Sequence, residues 1–147
     1  METIQRMFSH LKWSNERILG NFQSQDNDEA RKLFAHILCA EQVWLARLEE
    51  RDSSELPIWA EFSLTECQGL SEKNQEGYRQ YLNQLTFTDL DRIVSYRNSR
   101  GTEFQTSVKD ILIHIALHGQ YHRGQVNRKL RENDLEPINV DYITFVR

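Results

Sequence analysis

Three histidines recur at intervals of four residues in the segment 110–125, which reads DILIHIALHGQYHRGQ. They are His114, His118 and His122. The apolar residues around them recur at steps of three and four, which is the period of one face of an α-helix. Two histidines four residues apart on a helix can direct both imidazoles to one point, and His118 and His122 lie within the apolar stripe. The spacing therefore indicates a metal site.

Other interpretations of these histidines are open. His114 could pair with His118 in the same way, but it cannot share an ion with His122, because eight residues of helix rise about 12 Å. A histidine on an apolar face can also be a hydrogen-bonded core residue. A zinc peptidase of the H-E-x-x-H type is excluded, since Gly119 stands where that motif has its catalytic glutamate. No Glu-x-x-His occurs in the chain, which argues against a di-iron carboxylate bundle.

A third metal ligand is expected from the second predicted helix. His36 is its one histidine, at the edge of the apolar stripe, and it would complete a three-histidine site. Glu41 lies in the same stripe and needs a cation or donors there, so it is a candidate base or a partner of Arg123. Asn15, within the stripe of the first helix, is a structural hydrogen bonder or a neighbour of the site. Arg123 and Gln125 are predicted to fix the last long helix against its neighbours.

Length and composition bound the class of protein. The chain has 147 residues, the size of one domain, and we expect a single domain over residues 1–147. Eighteen basic and 22 acidic residues give a net charge of −4, which offers no electrostatic footprint for nucleic acid. No apolar run reaches the roughly 20 residues of a membrane span, and none suits a signal peptide. Cys39 and Cys67 do not make a disulfide framework, so we expect a soluble, cytoplasmic protein without nucleic-acid or membrane partners.

The hydrophobic periodicity predicts an all-α fold, a bundle of four helices with a β-hairpin before the last helix. Capping boxes are expected at Asp26 with Glu29 and at Ser63 with Glu66, and Ser107 should cap the fourth helix. The predicted helices are 3–22, 27–50, 64–85 and from Ser107 to near Asn133, and the predicted strands are 91–97 and 102–106.

Trp13 lies on the side of the first helix away from its apolar stripe. A tryptophan flanked by His10 and Arg17 has the composition of an interface anchor, which predicts a homodimer. The loop at 57–59 or the apolar run at 142–146 could instead cover Trp13 within one chain. We expect the whole connection at 51–63 to fold over one end of the bundle and the run at 142–146 to pack back on the bundle.

Three segments together resemble the DinB/YfiT-like family, and the likeness extends over essentially the whole chain. KWSNERIL in the first helix is similar to that family's Trp-x-Asn signature, and LFAHILCAEQVWL is similar to its second-helix histidine followed by an aromatic residue. HIALHGQYHRGQV resembles its His-x-x-x-His-Arg-Gly-Gln segment, which is the most specific of the three.

The resemblance implies one divalent metal, such as zinc, nickel, iron or manganese, held by His36, His118 and His122, with His114 not a ligand. It implies a four-helix bundle, dimers in many relatives, and either thiol-dependent S-transfer or metal-dependent hydrolysis. Partners would be a low-molecular-weight thiol such as bacillithiol or mycothiol and a small electrophile. A non-catalytic bundle, with or without metal, is the alternative. Beyond the metal ligands, the pocket candidates are Asn15, Glu41, His114, Arg123 and Gln125.

Overall fold

The computed structural model describes all residues, 1–147, and consists of four long helices, a short fifth helix and one hairpin. This confirms the predicted bundle with a hairpin before the last long helix. The elements are α1 (Glu2–Phe22), α2 (Asp28–Leu48), α3 (Leu64–Gln84), a 3-10 turn (Thr88–Asp91), β1 (Ile93–Arg97), β2 (Glu103–Ser107), α4 (Val108–Glu132) and α5 (Tyr142–Val146).

Side-chain caps begin three of the long helices. The predicted capping box of Ser63 with Glu66 is present, and Ser107 accepts from a backbone N–H at the start of α4. The predicted cap of α2 is wrong by one residue, because Asn27 and not Asp26 accepts from the backbone N–H of Ala30. Asp26 instead pairs with Arg31, so its carboxylate is taken by a guanidinium that the sequence pattern did not reveal.

The hairpin is shifted slightly from its predicted bounds. β1 begins at Ile93, because the 3-10 turn occupies the residues before it, and Asp89 stabilises that turn by accepting from the backbone N–H of Thr86. The two antiparallel strands pair Ile93 with Ser107 and Arg97 with Glu103. The hairpin therefore leads directly into α4 and fixes where that helix starts.

Two apolar clusters form the core, one toward each end of the bundle. The first cluster contains the start of α1 and α4 and the end of α2 and α3, and the second contains their other ends. α1 and α4 therefore run in one direction, and α2 and α3 run in the other. The parallel pair α2 and α3 needs a long crossover, which residues 49–63 provide.

A buried polar layer separates the two apolar clusters. Arg123 donates to the side-chain oxygen of Asn15 at 2.8 Å, and the Asn15 amide donates to the Glu41 carboxylate at 3.0 Å. Asn74 donates to the Leu38 carbonyl at 2.9 Å and reaches the same carboxylate at 3.4 Å. Each of the four long helices thus contributes one polar side chain to a single network in the middle of the bundle.

The C-terminal run packs back on α1 as predicted. Phe145 of α5 lies 5.7 Å from Trp13 between ring centroids, and the Arg17 guanidinium covers the indole at 4.9 Å. His10 shares this aromatic group and hydrogen-bonds the carbonyl of Val140 at 2.8 Å. Trp13 is therefore covered within one chain, which removes the argument for a dimer through this residue without testing the dimer itself.

Candidate metal centre

α2 and α4 pack against each other in opposite directions and carry the three histidines of the candidate site. One ring nitrogen from each of His36, His118 and His122 lies within 4.8 Å of the other two. Ring nitrogens bound to one zinc ion lie about 2.0–2.1 Å from it, so two of them are at most about 4.2 Å apart. Small side-chain rotations would bring all three onto one ion. The structure thus gathers the three residues that the sequence selected.

His36 is held from outside the two helices. Its Nδ1–H donates to the carbonyl oxygen of Ile58 at 2.7 Å, which leaves Nε2 with a free lone pair. The indole of Trp59 stacks on the imidazole, with 3.8 Å between centroids and 8° between planes. The loop at 57–59 therefore lies over the candidate metal centre, where the sequence predicted it only over an end of the bundle.

His122 is oriented within its own helix. Its Nδ1 lies 2.7 Å from the side-chain oxygen of Gln125, so Nδ1–H donates there and Nε2 keeps a free lone pair. A second partner that fixes the tautomer of a metal-binding imidazole is usual for such ligands. Gln125, predicted as a neighbour of the site, does contact a candidate ligand.

Protonation also favours metal binding at this cluster. Burial lowers the pKa of His118 to about 4, helped by the neighbouring histidines, and burial likewise lowers the pKa of His36. A metal ligand must present an unprotonated nitrogen, so imidazoles that stay neutral at physiological pH are suited to the task. The donor set of three imidazoles, two with fixed tautomers, fits zinc, nickel or iron.

His114 lies beside the cluster but outside it. Its ring is 5.4 Å from His118 and 5.1 Å from Trp44 between centroids, and its side chain is exposed. It does not belong to the group of three nitrogens that could share an ion. Its position one turn before His118 instead places it along the groove between α2 and α4.

Asn15, Glu41 and Arg123 form the polar layer and do not hydrogen-bond any of the three histidines. Glu41 pairs with Arg123 through Asn15 rather than directly. Burial raises the pKa of Glu41, while the Asn15 amide and the Arg123 charge oppose that shift. Burial lowers the pKa of Arg123 to about 10, so its guanidinium stays charged at neutral pH. These three residues are structural neighbours of the centre and offer it no base.

Gly119 has no side chain, which allows the Arg123 guanidinium to lie close to the backbone of α4. A Cβ at this position would lie 3.1 to 3.3 Å from three atoms of the Arg123 guanidinium. The close approach of the buried Arg123 therefore explains why residue 119 of α4 is a glycine.

Aromatic and apolar side chains surround the open side of the cluster. Trp59 is 51% exposed and Tyr121, whose ring lies 5.0 Å from His122, is 67% exposed. Leu117, one turn before Tyr121, is exposed as well. The contributions of Ile58 and Trp59 were not predicted from the sequence, where the one available signal was a tryptophan two residues after a proline in a connecting loop.

Fold and site together define an all-α bundle with a three-histidine cluster compatible with metal binding. The sequence profile of the DinB family matches residues 1–147, and the chain belongs to that family. It is similar to Protein DinB of Bacillus subtilis (strain 168), with 20% identity over 156 aligned positions that cover 93% of this chain and 90% of that protein. No helix has the length and apolar character that a bilayer crossing requires.

Proposed function

We propose that this protein is a metal-dependent S-transferase that joins a low-molecular-weight thiol to a small electrophile. The observation that carries the proposal is the group of three ring nitrogens from His36, His118 and His122 within 4.8 Å of one another. Three protein ligands leave further coordination positions open, as catalytic sites require and structural sites do not. When bound, a divalent ion would supply a Lewis acid that lowers the pKa of a coordinated thiol, whose proton would pass to solvent.

The residues around the cluster favour thiol transfer over hydrolysis. A hydrolase needs a general acid or base that can reach the substrate, and Glu41 is 3% exposed with its carboxylate bound to Asn15. Thiol transfer needs no such residue, because the metal itself lowers the pKa of the thiol. Trp59 and Tyr121 would form an apolar rim for the electrophile, and the carbonyl of Ile58 would hold His36 in place during turnover.

The test combines metal analysis with turnover. Metal content of the protein as purified identifies the native ion among zinc, nickel, iron and manganese, with one ion per chain expected. The loaded protein is then assayed with thiols, including bacillithiol and mycothiol, against a panel of small electrophiles, beside His36→Ala as the metal-deficient control. Thiol consumption by the wild type alone supports the proposal. A fully loaded protein that turns over no pair would favour the non-catalytic bundle.

A further inference from the structure

A second cationic site lies along α2 from the histidine cluster. The Arg47 guanidinium sits between two aromatic rings, 4.5 Å from the Trp44 centroid and 4.8 Å from that of Tyr96. Its one hydrogen bond goes from Nη2 to the carbonyl of Arg97 at 3.1 Å, and its buried Nε has no partner. None of the salt bridges of the chain involves Arg47. Arg47 is therefore a fixed, half-buried cation without a counter-ion.

Arg47 borders a cavity of about 110 Å³ between the hairpin turn and the α2–α3 crossover. Arg97, Ser53 and Asn98 also line it, so a second arginine and several hydrogen-bonding groups border a space that would hold a few water molecules. One acidic residue, Asp52, lines the cavity as well; its carboxylate accepts from the backbone N–H and the hydroxyl of Ser54 and forms no ion pair with either arginine. A guanidinium suits a carboxylate or phosphate because its fork of N–H groups can bind two oxygens.

The cavity and the histidine cluster share structural parts. Ile58 lines the cavity, and its carbonyl oxygen holds His36. On the other side, successive contacts of about 5 Å run from His118 to His114, from His114 to Trp44, and from Trp44 to the Arg47 guanidinium. An extended small molecule could therefore reach from the metal centre to Arg47.

We infer that this cavity binds an anionic end group, a carboxylate in the first instance, of the thiol used at the three-histidine centre. The link to a thiol rests on the function proposed above, whereas the anion site rests on Arg47, Arg97 and the cavity alone. Arg47 is a specificity-determining residue in this assignment, because it would select thiols that carry a charged group remote from sulfur.

The anion site is tested first on metal-free protein. Succinate, phosphate and the neutral analogue succinamide are titrated separately while the backbone amide resonances of Ser53, Ser54 and Asn98 are followed by NMR. Saturable shifts with succinate and none with succinamide are expected, and a preference for phosphate would redefine the anion but keep the site. Arg97→Gln should weaken binding about tenfold, since it removes one charged hydrogen-bond donor. Asp52→Asn should tighten it.

Controls keep this test decisive if Arg47→Gln disturbs the packing of its aromatic neighbours. Arg97 is exposed, and only its backbone carbonyl holds Arg47, so Arg97→Gln leaves that contact in place. Arg100→Gln removes one positive charge from the same turn without touching the cavity and should leave the affinity unchanged. Equal succinate affinity in wild type, Arg47→Gln and Arg97→Gln, or equal shifts with succinamide, would overturn the site.

The link to the metal centre is tested on cobalt-loaded protein. Glutathione and its diethyl ester are titrated while the thiolate-to-cobalt charge-transfer absorption is recorded. The acid should bind about tenfold more tightly than the ester to the wild type, and the ratio should approach one in Arg97→Gln. Equal affinities in the wild type would overturn the link. If neither thiol produces the absorption, the thiol assignment fails, while the succinate titration still decides the anion site.

Discussion

The indole of Trp59 lies parallel to the imidazole of His36, with 3.8 Å between their centroids. Residue 59 belongs to the α2–α3 crossover, so a side chain outside the bundle is in contact with a candidate metal ligand. A paramagnetic ion bound at the cluster should therefore quench the fluorescence of Trp59. We expect Co²⁺ to quench the wild type and to lose most of this effect on Trp59→Phe.

Two matched variants separate this quenching from general effects of the ion. Trp13→Phe and Trp44→Phe each remove one of the other tryptophans and should retain the quenching at the same metal concentrations. Trp59→Phe keeps an aromatic ring over His36, so metal content measured after dialysis should stay close to that of the wild type. Quenching that survives in Trp59→Phe would mean that the ion binds elsewhere.

The ligand set makes a quantitative prediction about metal affinity. His36→Ala, His118→Ala and His122→Ala should each abolish tight binding, because each removes one of three donors. Gln125→Ala should weaken binding about 10–100-fold, since it frees the tautomer and orientation of His122. Competition with a coloured chelator measures all four.

His114→Ala is the control for these variants. It deletes an imidazole one turn from His118 but outside the group of three, so metal affinity should be unchanged. Loss of metal in His114→Ala together with retention in His122→Ala would identify the other i, i+4 pair as the true site.

Stability of the metal-free protein should depend on pH through its buried histidines. Burial holds the pKa values of His10, His36 and His118 below 6.5, with His118 at about 4. Between these values the unfolded chain binds more protons than the folded one, so the free energy of unfolding rises with pH. This contribution is complete above about pH 6.5 and is lost as the pH falls toward 4.

Thermal melts of the metal-free protein between pH 4 and 8 check the pH prediction. The midpoint should be level above pH 7 and fall in acid, and His118→Gln should reduce the slope near pH 5. A midpoint that is constant down to pH 4.5 would show that these imidazoles are not buried in solution.

Gly119 and Gly124 provide a matched pair on α4. Gly124→Ala meets nothing within 4 Å and should stabilise the helix by roughly 0.5–1 kcal/mol. Gly119→Ala gains the same helix propensity but forces its Cβ against the buried Arg123 guanidinium, which Asn15 holds in place. We expect a net loss of about 1–2 kcal/mol from that overpacking. Chemical denaturation of both variants measures the difference, and equal stabilisation would contradict a fixed Arg123.

The homodimer stays a prediction, and the packing of Trp13 leads to a separate prediction about stability. Because Phe145 and Arg17 cover the indole, Trp13→Glu should lower the melting temperature by detaching α5 and should not change the oligomeric state. Light scattering gives the mass of wild type and variant, for which one chain is 17.5 kDa. A wild-type dimer that becomes monomeric in Trp13→Glu would restore the interface.

The sequence predicted the helices and the pair His118 and His122 because both depend on the periodicity of residue types. His36 could be predicted because it is the one histidine of the second helix and matches the family pattern. The role of Ile58 could not be predicted, since it acts through a backbone carbonyl that every residue possesses. Glu41 was interpreted as a candidate base or a partner of Arg123, and in the structure Asn15 lies between the two side chains. This bridge could not be predicted, because three residues linked by hydrogen bonds across three helices have no fixed spacing in the sequence. Asp26 and Asn27 are both suitable N-cap residues for α2. Asn27 takes the cap because the carboxylate of Asp26 pairs with Arg31 instead.

The polar layer also fixes the position of α4 relative to α2 along the axis of the bundle. In a uniformly apolar bundle, a shift of one helical turn, about 5.4 Å, would replace one set of contacts between apolar side chains by a similar set. Such a shift would cost little free energy. Here such a shift would carry Arg123 away from Asn15 and leave a charge among apolar side chains. The same alignment places His118 and His122 opposite His36. The polar layer contacts none of the three imidazoles, but by fixing the alignment of α4 with α2 it brings them together.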